Sequence, residues 1–249
     1  MHDTFLQEFI MDKLPLSITP CPIIEAIFEI RFESSLPGDA IFGIVYNQFK
    51  DEFQNVEQLS ILQLPAAIRN QDPNLKFSPY YKIKKDNFII QIGPNVFSLT
   101  NVKDYCGWKA FSKKICDTYS KISELNLIKK HLRTALRYIN ILPDTNVFEK
   151  SNLCINLNNN HLGANQINFT VEIPHEHGAS NLKVINFAEA IFENQAVKGS
   201  IVDIDTHVQH EKFNSFKESI EHAHTAEKEL FFNLLDSEFL KTLNPVYEE

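Results

Sequence analysis

The residues whose types and spacing could do chemistry are acids, histidines and one arginine. Asp203-x-Asp205-x-His207 places three ligand-type side chains on one face of a predicted strand, because alternate strand residues share a face. His175-x-His177 lies in a preceding turn, and His210 follows. Mixed carboxylate and imidazole ligands suit zinc, manganese or iron, and would serve a metal-dependent hydrolase or nuclease. Against this, Val202, Ile204, Thr206 and Val208 form the opposite, apolar face. The plainer expectation is that the Asp/His face is the wet side of an amphipathic strand. His224 and Glu227 are three apart on a predicted helix, the spacing of an acid/base pair. No third group completes them, and a surface pair is expected. Ser/His/Asp, H-E-x-x-H, P-loop and G-x-G-x-x-G patterns are absent. An enzyme is therefore not favoured, no catalytic residue is nominated and no cofactor is expected. Cys21, Cys106, Cys116 and Cys154 form no C-x-x-C pair. Reduced, buried, structurally bland thiols are expected, since a reactive one needs a basic neighbour that the sequence does not reveal.

Arg137 is singled out by comparing two strands. Pro22 to Glu33 alternates Ile24, Ala26, Phe28, Ile30 and Phe32 with Glu25, Glu29, Arg31 and Glu33, the period-two signature of a strand with one buried face. Thr134 to Leu142 is a weaker echo. Aligning Ala135-Leu136-Arg137 with Ala26-Ile27-Phe28 puts Arg137 at a core parity, where an arginine must be paired. Glu25, Glu29 or a helix carboxylate could pair with it in a structural salt bridge; a functional reading makes it an anion-binding arginine in a groove. Arg137, Glu29, Arg31 and Asn140 are the candidate ligand- or partner-binding residues, and Asp203, Asp205 and His207 the candidate metal ligands.

These side chains are carried by a repeating order of elements. Residues 1–21 are a lead segment, with helical spacing at Phe5, Leu6, Phe9 and Ile10 before Pro15. After the first strand a helix is predicted from Gly38 or Asp39 to about Gln54, then a strand at 56–64 and a loop over 65–75. Three short strands, 77–84, 88–92 and 96–100, precede a long amphipathic helix over about 107–126. The second series starts at 132–142, has strands near 153–157, 166–173, 182–187 and 201–208, and ends in a helix carrying Phe213, Phe216, Ile220, Ala223, Phe231 and Leu234. A further helical turn is predicted at 236–243. The fold class expected is α+β: a curved antiparallel sheet from two pseudo-repeats (22–130 and 131–249, packed as one unit) with long helices on one face, like the TATA-binding-protein saddle or the helix-grip fold.

Composition narrows the function classes. With 43% hydrophobic residues, 20 Phe and only 7 Gly in 249 residues, an aromatic core is expected and a glycine-rich phosphate loop is not. No apolar run is long enough to cross a bilayer, and the first ten residues lack a signal-peptide pattern, so a cytoplasmic location without membrane attachment is expected. Net charge is −8, yet Lys76 to Arg137 holds 13 Lys/Arg against four acids. That basic stretch could bind nucleic acid, with Tyr80-Tyr81-Lys82 as a stacking element. Overall acidity disfavours this reading, and the protein's own acids are the expected counter-charges.

Pro22-Ile-Ile-Glu-Ala-Ile-Phe-Glu-Ile-Arg-Phe32, Leu136-Arg-Tyr-Ile-Asn-Ile141 and the helix from His224 to Phe231 together resemble an uncharacterised, sporadically distributed bacterial family of similar length. The resemblance runs from about residue 14 onward. It implies no activity, cofactor or catalytic residue. A patchy distribution implies mobile elements, defence cassettes or toxin–antitoxin pairs. The function expected is a non-enzymatic module holding a protein partner in such a setting, with a homodimer compatible. The alternatives are a helix-grip small-ligand protein anchored by Arg137, and the metal-dependent hydrolase or nuclease.

Overall fold

The structure is a computed structural model and describes residues 13–163, 166–192 and 195–248. It is α+β, with a large antiparallel sheet and few helices. The first series is β1 (Ile23–Ser34), α1 (Gly38–Phe49), β2 (Asn55–Gln58), α2 (Ala66–Gln71), β3 (Tyr81–Lys85), β4 (Phe88–Ile92), β5 (Val96–Val102) and α3 (Trp108–Glu124). The second is β6 (Ile128–Pro143), β7 (Asn156–Leu157), β8 (Asn160–His161), β9 (Asn168–His175), β10 (Gly178–Phe192), β11 (Gln195–Val208), α4 (Phe216–Leu234) and α5 (Ser237–Thr242). The chain divides into two compact units. One is Glu25–Arg137 with His207–Ala223, here the β1 unit. The other is Tyr138–Thr206 with the segment ending at Ile24 and the chain from His224 onward, here the β11 unit.

In the β1 unit the strand order is β2-β3-β4-β5-β1-β6. β1 forms because its alternation can bury one face completely. Ala26, Phe28, Ile30 and Phe32 are at most 1% exposed, while Glu25, Ile27, Glu29, Arg31 and Glu33 are half-buried. β1 runs antiparallel to β5, with Phe28 opposite Leu99 and Glu29 opposite Ser98. The helices present stripes with the 3.6-residue period: Ile41, Val45 and Phe49 on α1, and Phe111, Ile115, Thr118 and Ile122 on α3 are buried. Gly107 enters α3 at φ 81°, a left-handed conformation that side chains resist. Aromatic contacts knit the core: Phe49 packs on Phe97 with centroids 6.1 Å apart, and Phe28 meets Phe216 edge to face at 5.6 Å.

In the β11 unit the order is β6-β11-β10-β9, and β9 pairs antiparallel with β10. Its core gathers Leu142, Val184, Val202, Ile204, Phe231 and Phe232, with Phe169 and Ile173 packed against it. β7 and β8 form a separate two-stranded hairpin.

Several local expectations change. The strand expected over 56–64 is only β2, followed by a 3-10 turn at Ser60–Gln63. The expected loop over 65–75 contains α2 and a 3-10 turn at Pro73–Leu75. Pro65 and Pro73 were loop signals in sequence, but proline is also at home in a helix's first turn, where no N–H partner is needed. The cap expected at Gly38 or Asp39 falls at Pro37, without a side-chain hydrogen bond. The strand expected over 153–157 is reduced to β7. The helical spacing at Phe5 to Ile10 lies outside the described residues.

Candidate functional site

The polar face of β1 holds the first cluster. Glu29 Oε1 accepts from Arg31 Nε and Arg133 NH1, both at 2.7 Å. Arg133 is the more buried of the two cations, with a side chain 15% exposed. The Arg31 guanidinium also lies over the Phe77 ring, 5.1 Å from its centroid. Glu29 and Arg31 are therefore brought together, and their partner across the sheet is Arg133, which the sequence reading did not nominate. Arg137 does not sit at the core parity expected for it. Thr134, Leu136, Tyr138, Asn140 and Leu142 are the deeply buried series of β6, and half-buried Arg137 falls between them. The strand comparison was one residue out of register, and one residue flips a side chain to the other face. Asn140 belongs to the β11 unit and is buried there; its amide donates to Val202 O at 3.1 Å. That bond ties β6 to β11.

The acid and histidine candidates also resolve. Asp203 and Asp205 belong to the β11 unit and His207 to the β1 unit. Asp203 is buried and the other two are half-buried, so their face is less wet than the alternation implied. Among the described residues no group of three or more His, Cys, Asp or Glu side chains is placed to hold a metal ion. Glu227 and His224 are not a surface pair. Glu227 is buried, and burial pushes its carboxyl well above the usual range. His224 Nδ1 lies 3.2 Å from Tyr138 Oη, and burial, aided by Lys228, holds its imidazole down at about 3. Burial is the leading cause in both groups, and in each it favours the neutral form.

Part of the basic stretch is paired with acids within the β1 unit. Lys82 and Lys84 pair with Glu57, Lys113 with Asp117, and Lys114 and Lys121 with Glu52. Two hollows of this unit, 370 Å³ beside Glu52, Lys114 and Lys121 and 510 Å³ beside Arg69, Lys76 and Tyr80, are lined largely by charged and polar side chains. The cysteines depart from expectation: Cys21, Cys106 and Cys154 are exposed and Cys116 is half-buried. No described helix is long and apolar enough to cross a membrane.

β9 offers a different kind of site. It ends the strand order of the β11 unit, so among the described residues only one of its sides is paired. Its register with β10 is unbroken from Asn168↔Ile185 to His175↔Gly178, and Asn186 N donates to Ile167 O at 2.9 Å. In an antiparallel ladder the N–H and C=O of one residue point the same way, alternating along the strand. Since Ile167 faces β10, so do Phe169, Val171 and Ile173. Asn168, Thr170, Glu172 and Pro174 turn their backbone groups outward. Pro174 has no N–H to leave unsatisfied, which suits an edge. Phe169 and Ile173 pack on the core, whereas Val171 is 42% exposed. The sequence showed the alternation of 167–173, and Pro174 was its one local signal for an edge.

No family model matches this chain, and no curated protein matches it either.

Proposed function

We propose that this protein is a non-enzymatic, cytoplasmic binding module that holds an extended segment of a protein partner, in a bacterial defence or toxin–antitoxin setting. The observation that carries the reading is the outward edge of β9. Its unpaired backbone groups at Asn168, Thr170, Glu172 and Pro174 can complete a ladder with an added strand, and Val171 gives that strand an apolar contact. The two sequence halves, 22–130 and 131–249, are read as pseudo-repeats of a saddle or helix-grip type of fold. Support comes from the order each follows along the chain, a long lead strand, further strands and a long helix.

Thr170→Pro is the test. It removes one outward N–H and leaves the bonds to β10 in place, so the fold should be retained. Tagged wild-type protein purified from its native host should retain a partner in stoichiometric amount, and the variant should lose it while keeping its melting temperature within a few degrees. A partner retained equally by the variant, or no reproducible partner at all, would sink the proposal.

A further inference from the structure

The β7–β8 hairpin carries a constellation that strand capture leaves unused. Asn158 and Asn159 form its turn with φ of 48° and 65°, the left-handed pair of a two-residue hairpin turn, which asparagine tolerates. Asn156 stands opposite His161, and Leu162 N donates to Ile155 O at 3.0 Å, extending the pairing by one residue. Alternation then places Cys154, Asn156 and His161 on one face. His161 Nδ1 lies 3.7 Å from Cys154 Sγ, and Asn156 Nδ2 donates to the same sulfur at 3.3 Å. Gly163 makes room for this. A Cβ there would fall 2.4 Å from His161 Nε2, so the missing side chain lets the imidazole lean toward the sulfur. Asn146 Nδ2 donates to Gly163 O at 3.0 Å and anchors the returning strand.

We propose that Cys154 is a reactive thiol, a site of S-thiolation by low-molecular-weight disulfides, with His161 as its base. His161 Nδ1 takes the thiol proton, and the thiolate attacks one sulfur of the disulfide. The new sulfur–sulfur bond forms as the old one breaks. The departing thiolate takes the proton back from His161. The small disulfide is reduced in its leaving half, and Cys154 is oxidised to the mixed disulfide. The Asn156 amide supports the anionic sulfur by donating to it.

The other thiols serve as internal references. Cys106 donates to Gly107 O at 3.8 Å, and partial desolvation by the surrounding protein pushes the thiols of Cys21, Cys106 and Cys116 up, although the first two side chains still reach solvent. The full chain is incubated with oxidised glutathione at pH 7.5, acid-quenched over time, and mapped by peptide mass spectrometry. Cys154 should be thiolated about tenfold faster than Cys106, the advantage of a thiol with a basic partner. His161→Ala should remove that advantage and leave the Cys106 rate unchanged, which also reports that the fold is intact. Gly163→Ala, which displaces the ring without deleting it, should slow Cys154 as well. A Cys154 rate no greater than that of Cys106, or one unaffected by His161→Ala, would overturn the assignment.

Discussion

The clamp around Glu52 makes a quantitative prediction. Glu52 follows α1 and is gripped by two lysines of α3: Lys121, by a short contact, and Lys114, at 3.2 Å. Lys121 also lies over the Phe49 ring and Lys114 over Phe53, so the cations are steered by aromatic faces. The hydrogen bond from Lys121 is the largest cause holding the Glu52 carboxyl down from 4.5 to about 2. A drop of that size in a shielded site corresponds to about 3 kcal/mol of stability. Glu52 is 34% exposed, and solvent screening brings the expected contribution to about 1 kcal/mol. The folded value lies below the unfolded one, so this stability is present above pH 4.5 and is lost as pH falls toward 2. Urea denaturation of wild type and Glu52→Gln at pH 7 should differ by about 1 kcal/mol, with the gap narrowing below pH 4.5 as pH falls toward 2 and shrinking in 1 M salt. A gap that stays constant from pH 7 to pH 3 would show that the glutamine disturbs packing, and that the ionic clamp contributes nothing.

Two further substitutions test the burial arguments. Glu227 has a raised value in the folded state, so its stabilising share is complete below pH 4.5 and is lost as pH rises. Glu227→Gln should therefore gain stability over wild type between pH 5 and 8 and match it below pH 4.5; urea midpoints that do not converge at low pH would contradict this. Phe28→Ala removes a fully buried ring that meets Phe216 edge to face, and should cost about 3–5 kcal/mol in the same assay. A loss under about 1 kcal/mol would mean that the surrounding core collapses into the cavity.

How far the sequence could be read depended on whether the information was local. β1 was legible because Ala26, Phe28, Ile30 and Phe32 repeat every second residue, and α3 because Phe111, Ile115 and Ile122 follow the helical period. Where both signals were weak the reading failed, as at α2, whose six residues are too few to show a period. Arg137 failed differently. Both parities of its strand are apolar around Ala135 and Leu136, so nothing local marked the alignment with β1 as one residue out. Glu227 looked like an exposed glutamate because its neighbours on α4 are charged, and nothing local announces that the helix turns it inward.

The sequence by itself determined the α+β class, the positions of most strands and both long helices, because side-chain periodicity is a property of each segment alone. Tertiary structure decided which distant residues meet. Arg133 reaches Glu29 across 104 positions of chain, and Trp108 reaches Glu221 across 113. It also decided that β9 is an edge. Pairing order depends on which strands find each other, and an edge strand and a central one can carry the same alternation. The residue contrast between Phe28 and Arg137 dissolves for the same reason: a face is assigned by register, and register is fixed only when the strands are paired.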